Sequence, residues 1–250
     1  MTAPYWTDGQ VTLYLGDCRE ILPELGVTAD LVLTDCPYGE TSLKWDRWVD
    51  GWPTLAATAT RSLWAFGSMR MFGEHWGEFT AAGWRFSQDI VWEKHNGTGF
   101  AADRFKRVHE HALHWYIGAW GDLRHDTPRV AYSGASKRAR RNPPPRHTGK
   151  IDSYLYEDDG ARLMRSVMSA QSVRGGLHPT EKPLGILTPL IRYACPTGGL
   201  VLDLFAGSGS TLEAARGCGR RAVGIEADEA QIEKAGRRLS QGVLDLGGVA

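Results

Sequence analysis

The stretch "GGLVLDLFAGSGST", residues 198–211, constrains the fold more than any other part of the chain. A short apolar run stops at Asp203 and passes directly into a turn containing Gly207 and Gly209, after which the residues read as a helix. A continuous apolar run of this length is typical of a strand covered on both faces, as in a parallel sheet. The glycines allow the backbone to approach a ligand closely, and the start of the next helix presents free N–H groups. The following apolar run, "RAVGIEAD", ends near Glu226, seventeen positions beyond Gly209. An acid at that strand end is placed to accept hydrogen bonds from both hydroxyls of a ribose. Together these features predict an adenosine-containing ligand. A dinucleotide fingerprint would need glycine where Leu212 stands, and a phosphate loop would need a lysine after Gly209. The short G-x-G therefore points to a nucleoside without a pyrophosphate, and so to S-adenosylmethionine.

A second apolar run ends in the same abrupt way. In "LVLTDCPYGE", residues 31–40, Asp35, Cys36, Pro37 and Tyr38 stand where a buried strand should stop. If both runs are parallel strands, Asp35 and Gly207 share one rim of the sheet. The turn suits an exocyclic amine: Asp35 accepts one N–H, a backbone carbonyl accepts the other, and Tyr38 stacks on the base. Accepting both hydrogens aims the nitrogen lone pair at an electrophilic methyl group. That chemistry needs neither a covalent intermediate nor a metal. His109 and His111 in "VHEHALHW" have no third ligand nearby in sequence and read as ordinary strand histidines.

The rest of the chain alternates strand-like and helix-like segments, which predicts an α/β protein with a mostly parallel sheet. Helical stretches are expected at "CREILPEL", interrupted by Pro23, at "MFGEHWGEFTAAG", at "PLGILTPLIRYAC", broken near Pro189, and at the amphipathic "EAQIEKAGRRLSQG". Residues 119–176 differ in texture, being rich in Arg, Pro, Gly and Ser, and read as an irregular insertion within a single domain spanning 1–250. The net charge of zero hides a basic stretch at residues 129–150, with seven Lys or Arg and no acid. Such a patch is a usual footprint of nucleic-acid binding. Four scattered cysteines without CxxC spacing argue against a zinc or disulfide framework. With no leader-like or membrane-spanning stretch, a cytoplasmic location is expected. Most of the ten tryptophans are expected in the core.

Taken together, "TDCPYGE" and "HPTEKPLGILTPLIRYACPTGGLVLDLFAGSGST", in that order, resemble the amino-methylating DNA methyltransferases of the β arrangement. The resemblance covers Val11 to about His114 and Leu177 to about Leu239. It implies a Rossmann-like methyltransferase fold with a seven-stranded, mostly parallel sheet, helices on both faces and a permuted motif order. It also implies an S-adenosylmethionine site formed by Asp203, Phe205, Gly207, Gly209 and Thr211, with Glu226 on the ribose and Asp17 near the adenine. Thr180 and Lys182 of "HPTEKP" would close over the methionine end. Asp35 takes the family's catalytic position with Tyr38 as the stacking ring, and aspartate there usually accompanies adenine targets, serine cytosine targets. Cys36 departs from the family's proline, although its carbonyl can still accept an amine hydrogen and Pro37 still favours an extended backbone before it. The resemblance therefore implies transfer to the 6-amino group of adenine in double-stranded DNA. The alternatives are the 4-amino group of cytosine, an amide of a protein glutamine, or a DNA-binding relative impaired by Cys36. A homodimer is a state that relatives often adopt.

Basic residues must grip phosphates while the target base is swung out of the stack. The insertion supplies Lys137, Arg138, Arg140, Arg141, Arg146 and Lys150 for that task, while Trp45 and Trp48 in "TSLKWDRW" either shape the mouth of the site or pack in the core. Changing Arg138, Arg140 and Arg141 together to alanine is expected to weaken duplex binding and to flatten its dependence on salt. Titration at several salt concentrations checks this, and unchanged binding throughout would remove the segment from the DNA surface.

Overall fold

The computed structural model describes residues 2–98, 103, 105–131, 160–171 and 181–241. Contact density divides the chain into residues 1–126 with 166–250, and a smaller unit at 127–165. In the smaller unit the described residues form an antiparallel ribbon of β7 (Arg129–Ala131) and β8 (Ala161–Leu163). The expected insertion was drawn wider, from 119 to 176, and its outer residues belong to the larger unit.

The larger unit is built on one sheet. Its strands are β1 (Trp6–Thr7), β2 (Val11–Leu15), β3 (Leu31–Thr34), β4 (Ser62–Gly67), β5 (Arg85–Thr98), β6 (Arg107–Tyr116), β9 (Val167–Ser169), β10 (Leu200–Asp203) and β11 (Arg221–Glu226). They lie in the order β1-β2-β11-β10-β3-β4-β6-β5-β9. Pairing is parallel from β2 through β4, whereas β6 runs antiparallel between β4 and β5. The expected seven-stranded sheet is therefore present, extended at its two edges by the short strands β1 and β9. All residues of β3, β4 and β10 are buried, which is why these strands read as unbroken apolar runs.

The α-helices among the described residues are α1 (Cys18–Leu25), α2 (Trp52–Ala59), α3 (Met69–Ala81), α4 (Leu184–Ala194), α5 (Ser210–Gly217) and, after the last strand, α6 (Glu229–Ser240). Two of them correct the sequence reading, because neither Pro23 nor Pro189 breaks its helix. An internal proline removes one N–H and crowds the carbonyl four residues back, at a cost of about 3 kcal/mol. In α1 the burial of Ile21 and Leu22 offsets that cost, and in α4 nearly every side, Pro189 included, is buried. Helix α2 is an element the sequence pattern does not announce. Its Ala- and Thr-rich sequence has little periodicity, yet it carries Trp52 into the core, where the ring meets Phe79 and Phe205 edge-on at 5.4 and 5.9 Å. Trp64, Trp84 and Trp115 are likewise fully buried, as expected for most tryptophans. Trp48 stacks on His75 with a 3.7 Å centroid separation and donates to Glu78, while Trp45 is exposed.

At the centre of the sheet, the ends of β3 and β10 are joined by side chains. Thr34 Oγ1 donates to Asp203 Oδ1 at 2.7 Å, and the Phe205 amide donates to the same oxygen at 3.1 Å. Burial pushes the Asp203 carboxyl up to about 6, against the hydrogen bonds from Thr34, Phe205 and Thr211. Because the folded protein holds this proton more tightly than the unfolded chain, the stability it contributes is full below about pH 3.8 and is lost as pH rises through about 6. An asparagine keeps the acceptor oxygen without the buried charge. Asp203→Asn is therefore expected to be more stable than the native chain above pH 6, by on the order of 1–3 kcal/mol, with the difference vanishing near pH 4. Urea unfolding at several pH values checks this, and a pH-independent difference would contradict it.

Candidate active site

Parallel pairing of β2, β11, β10, β3 and β4 places their C-terminal ends on one rim, and antiparallel β6 brings its N-terminal half to the same rim. The register aligns Gly67 with His111, so Glu110 comes next to the end of β4. Asp35 immediately follows β3, the first residue beyond its buried run. Its two oxygens are held differently. The Tyr38 hydroxyl donates to Oδ1 at 2.7 Å, and the Lys182 ammonium donates to Oδ2. Lys182 also lies 3.3 Å from Glu110 Oε2 and 5.2 Å from the centre of the Phe66 ring. Burial acts to lower the Lys182 pKa, but the charges of Asp35 and Glu110 outweigh it and hold the ammonium above its ordinary range. Glu110 in turn pairs with Lys94, and although burial opposes ionisation, the two lysines keep its carboxyl below the usual range. The site thus contains a connected cluster of two acids and two lysines in which Asp35 is the member nearest the surface.

Cys36 is buried, with Sγ 3.9 Å from the Phe66 carbonyl oxygen. Burial first, and then the charge of Asp35, push its thiol well above the ordinary range, so the sulfur stays protonated and acts as a small apolar group. What Cys36 offers chemically is its backbone carbonyl.

On the other side of the rim, Gly207 and Gly209 adopt left-handed backbone angles, with φ of 52° and 79°. The two glycines differ in what surrounds them. A side chain at Gly209 would press on Ala235 of α6 at 3.2 Å, whereas one at Gly207 would meet only the Phe205 carbonyl, at 3.9 Å. Gly209 permits helix packing and Gly207 leaves the backbone open to a ligand. Glu226 ends β11 and accepts the Gly207 amide on Oε2 at 2.7 Å and the Asp228 amide on Oε1 at 2.8 Å. Burial raises its pKa despite those bonds. Thr211 is buried and directed to Asp203. Asp17 follows β2, caps α1 through the Arg19 amide at 2.8 Å and pairs with the Arg19 side chain at 2.6 Å. Gly16, next to it, donates its amide to the Glu226 carbonyl, so Asp17 stands beside the end of β11.

Of the residues singled out in the sequence, the rim therefore brings together Asp17, Asp35, Cys36, Pro37, Tyr38, Lys182, Asp203, Phe205, Gly207, Gly209, Thr211 and Glu226. Lys182 is tied to Asp35, on the amine side. Thr180, Lys137, Arg138, Arg140, Arg141, Arg146 and Lys150 lie outside the described residues. Sequence reasoning missed Glu110, hidden among histidines on β6, and Asp46, whose carboxylate faces the backbone of the turn after Asp35. The histidines themselves form no metal cluster, and there is none among the described residues. Nor is any described helix long and apolar enough to cross a membrane.

Known proteins resemble this chain over most of its length. Type II methyltransferase M.ScaI of Streptomyces caespitosus is 26% identical over 262 residues, covering 94% of this chain and 83% of that protein. The crystal structure of an M1.HpyAVI–SAM complex superposes with a TM-score of 0.65 at 21% identity, covering 91% of this chain and 99% of that one. The cytosine-N4-specific PvuII DNA methyltransferase gives the same TM-score at 14% identity, covering 99% of this chain and 91% of its own. The family model described as DNA methylase, for the N6 and N4 amino-methylating enzymes, matches residues 29–237, which include both the Asp35 turn and the Gly207 turn. The chain belongs to that family, the amino-group DNA methyltransferases.

Proposed function

We propose that this protein transfers a methyl group from S-adenosylmethionine to the 6-amino group of adenine in double-stranded DNA, after the base has been swung out of the helix. The observation that carries the reading is Asp35, a carboxylate at the end of β3 on the same rim as the Gly207 turn, with Tyr38 and Lys182 holding its two oxygens. The rim residues fit such a donor. The open backbone at Gly207 admits close approach, Glu226 is placed for the ribose hydroxyls, Phe205 and Asp17 flank the same edge, and each Glu226 oxygen has a lone pair beyond the one its backbone partner uses. When bound, the donor supplies an electrophilic methyl on a sulfonium centre.

The chain's own residues prepare the amine. Lys182 pairs with one oxygen of the Asp35 carboxylate and holds it in place, and a further lone pair on that carboxylate takes one N–H of the target. The Cys36 carbonyl takes the other, and the nitrogen lone pair is left pointing away from both. Tyr38 faces the flipped base, while the basic residues 137–150 of the target-recognition insertion hold the phosphates. Asp35, rather than serine, favours adenine over cytosine.

The test is direct. Purified protein is incubated with S-adenosylmethionine and mixed-sequence duplex, the DNA is digested to nucleosides, and methylated bases are quantified by mass spectrometry. Methyladenine carrying its methyl on the 6-amino group is expected, and Asp35→Ala is expected to lower turnover by about 10²–10⁴-fold with donor binding retained. Methylcytosine carrying its methyl on the 4-amino group would keep the mechanism and reassign the base. No methylated base, in a protein that binds the donor, would reject transfer to DNA.

A further inference from the structure

Asp46 is 3% exposed, and its carboxylate is met by four backbone amides and by the Thr41 side chain. Oδ1 accepts the amides of Tyr38 and Gly39 at 2.7 and 2.8 Å, and Oδ2 those of Glu40 and Thr41 at 3.1 and 2.7 Å. Four successive N–H groups converging on one point are compatible with neither a helix nor a strand, so the turn needs an anion at its focus to satisfy them. Burial alone would favour the neutral acid, but the hydrogen bonds from Thr41, Gly39 and Tyr38 bring the Asp46 carboxyl below the usual carboxylate range. Tyr38 connects this arrangement to the chemistry: its amide is held by Asp46 while its hydroxyl is bonded to Asp35. The far side is fixed as well, since Glu40 pairs with the Ser68 hydroxyl at the start of α3 and with Arg107 at 3.3 Å.

We propose that Asp46 is the positioning residue of the amine site, its carboxylate fixing the turn so that Asp35 and the Cys36 carbonyl stand at the separation the target amine requires. This rests on the function proposed above. Asparagine is the informative replacement, because its amide would set two donors against the Glu40 and Thr41 donors while preserving size. A displacement of about 1 Å at a reacting centre costs up to about 10²-fold in rate.

Wild type, Asp46→Asn and Asp46→Glu are compared in single-turnover methyl transfer, in KM for donor and for DNA, in thermal unfolding, and in amide hydrogen exchange over residues 38–41. Folded Asp46→Asn is expected to lose about 10–100-fold in the transfer step, to keep both KM values within about threefold, and to exchange the four amides faster. Asp46→Glu, which retains the charge on a longer arm, carries the same expectation and serves if Asp46→Asn does not fold. A folded variant with the native transfer rate overturns the proposal, as does a loss confined to KM. Should the wild-type protein itself transfer no methyl group, the proposed function fails separately, and exchange decides the role of Asp46. Protection present in wild type and lost in the variant supports it, and unchanged protection overturns it.

Discussion

An ammonium group taken out of water has to be met by negative charge, and in this protein that demand falls on Lys182. Its partners come from segments far apart in the chain: Asp35 from the end of β3 and Glu110 from β6, with the Phe66 ring of β4 beneath. Removing one member of a buried charge cluster leaves an uncompensated ion and costs more than the pair contributes. The three elements therefore hold one another in place. The neighbouring Glu181 extends the dependence, because it pairs with Arg238 of α6. Arg238 also holds Glu213 of α5 at 2.6 Å and Ser208 of the glycine turn at 3.2 Å. One short loop thus ties the amine side of the rim to the donor side through two adjacent side chains of opposite charge.

Equivalent positions on neighbouring strands carry different chemistry here. Asp203 is the last residue of β10 and Asp35 is the first beyond β3. Leu202 pairs with Val32, so Asp35 lies two residues further out than Asp203, and that offset decides their environments. Asp203 is still inside the layer and meets a hydroxyl and an amide, so burial dominates and favours the proton. Asp35 has cleared the layer and meets an ammonium and a phenol hydroxyl at its two oxygens. An acid that favours its proton inside the layer and an acid that can receive an amine are separated by two steps of backbone.

The legible parts of this molecule were those written as local pattern. Strands β3, β4 and β10 announce themselves because a strand covered on both faces must be apolar throughout, and the turns after β3 and β10 because glycine and proline there have specific conformational uses. Helix α6 shows its buried side as Ile232, Ala235, Gly236 and Leu239 at helical spacing. Where the signal is not periodic, reading along the chain failed. The small residues of α2 gave no face, and the three residues of β9 lie in a stretch whose composition resembles a loop yet pair with β5. Pro23 and Pro189 were overweighted because local propensity contains no information about the burial that overrides it. Glu110 and Asp46 were invisible for another reason: their roles are defined by partners distant in sequence or by backbone amides, neither of which leaves a spacing to detect.

The sheet's two margins have a consequence for how the molecule meets its own copies. An exposed strand edge is a row of unpaired N–H and C=O groups to which a further strand can add, and long flat edges are how many β-rich chains come to aggregate. Among the described residues the outermost members are β1, with two residues, and β9, with three. Such stubs offer few rungs of their own to a further chain, so among the described residues this mixed sheet ends in short margins rather than long flat ones.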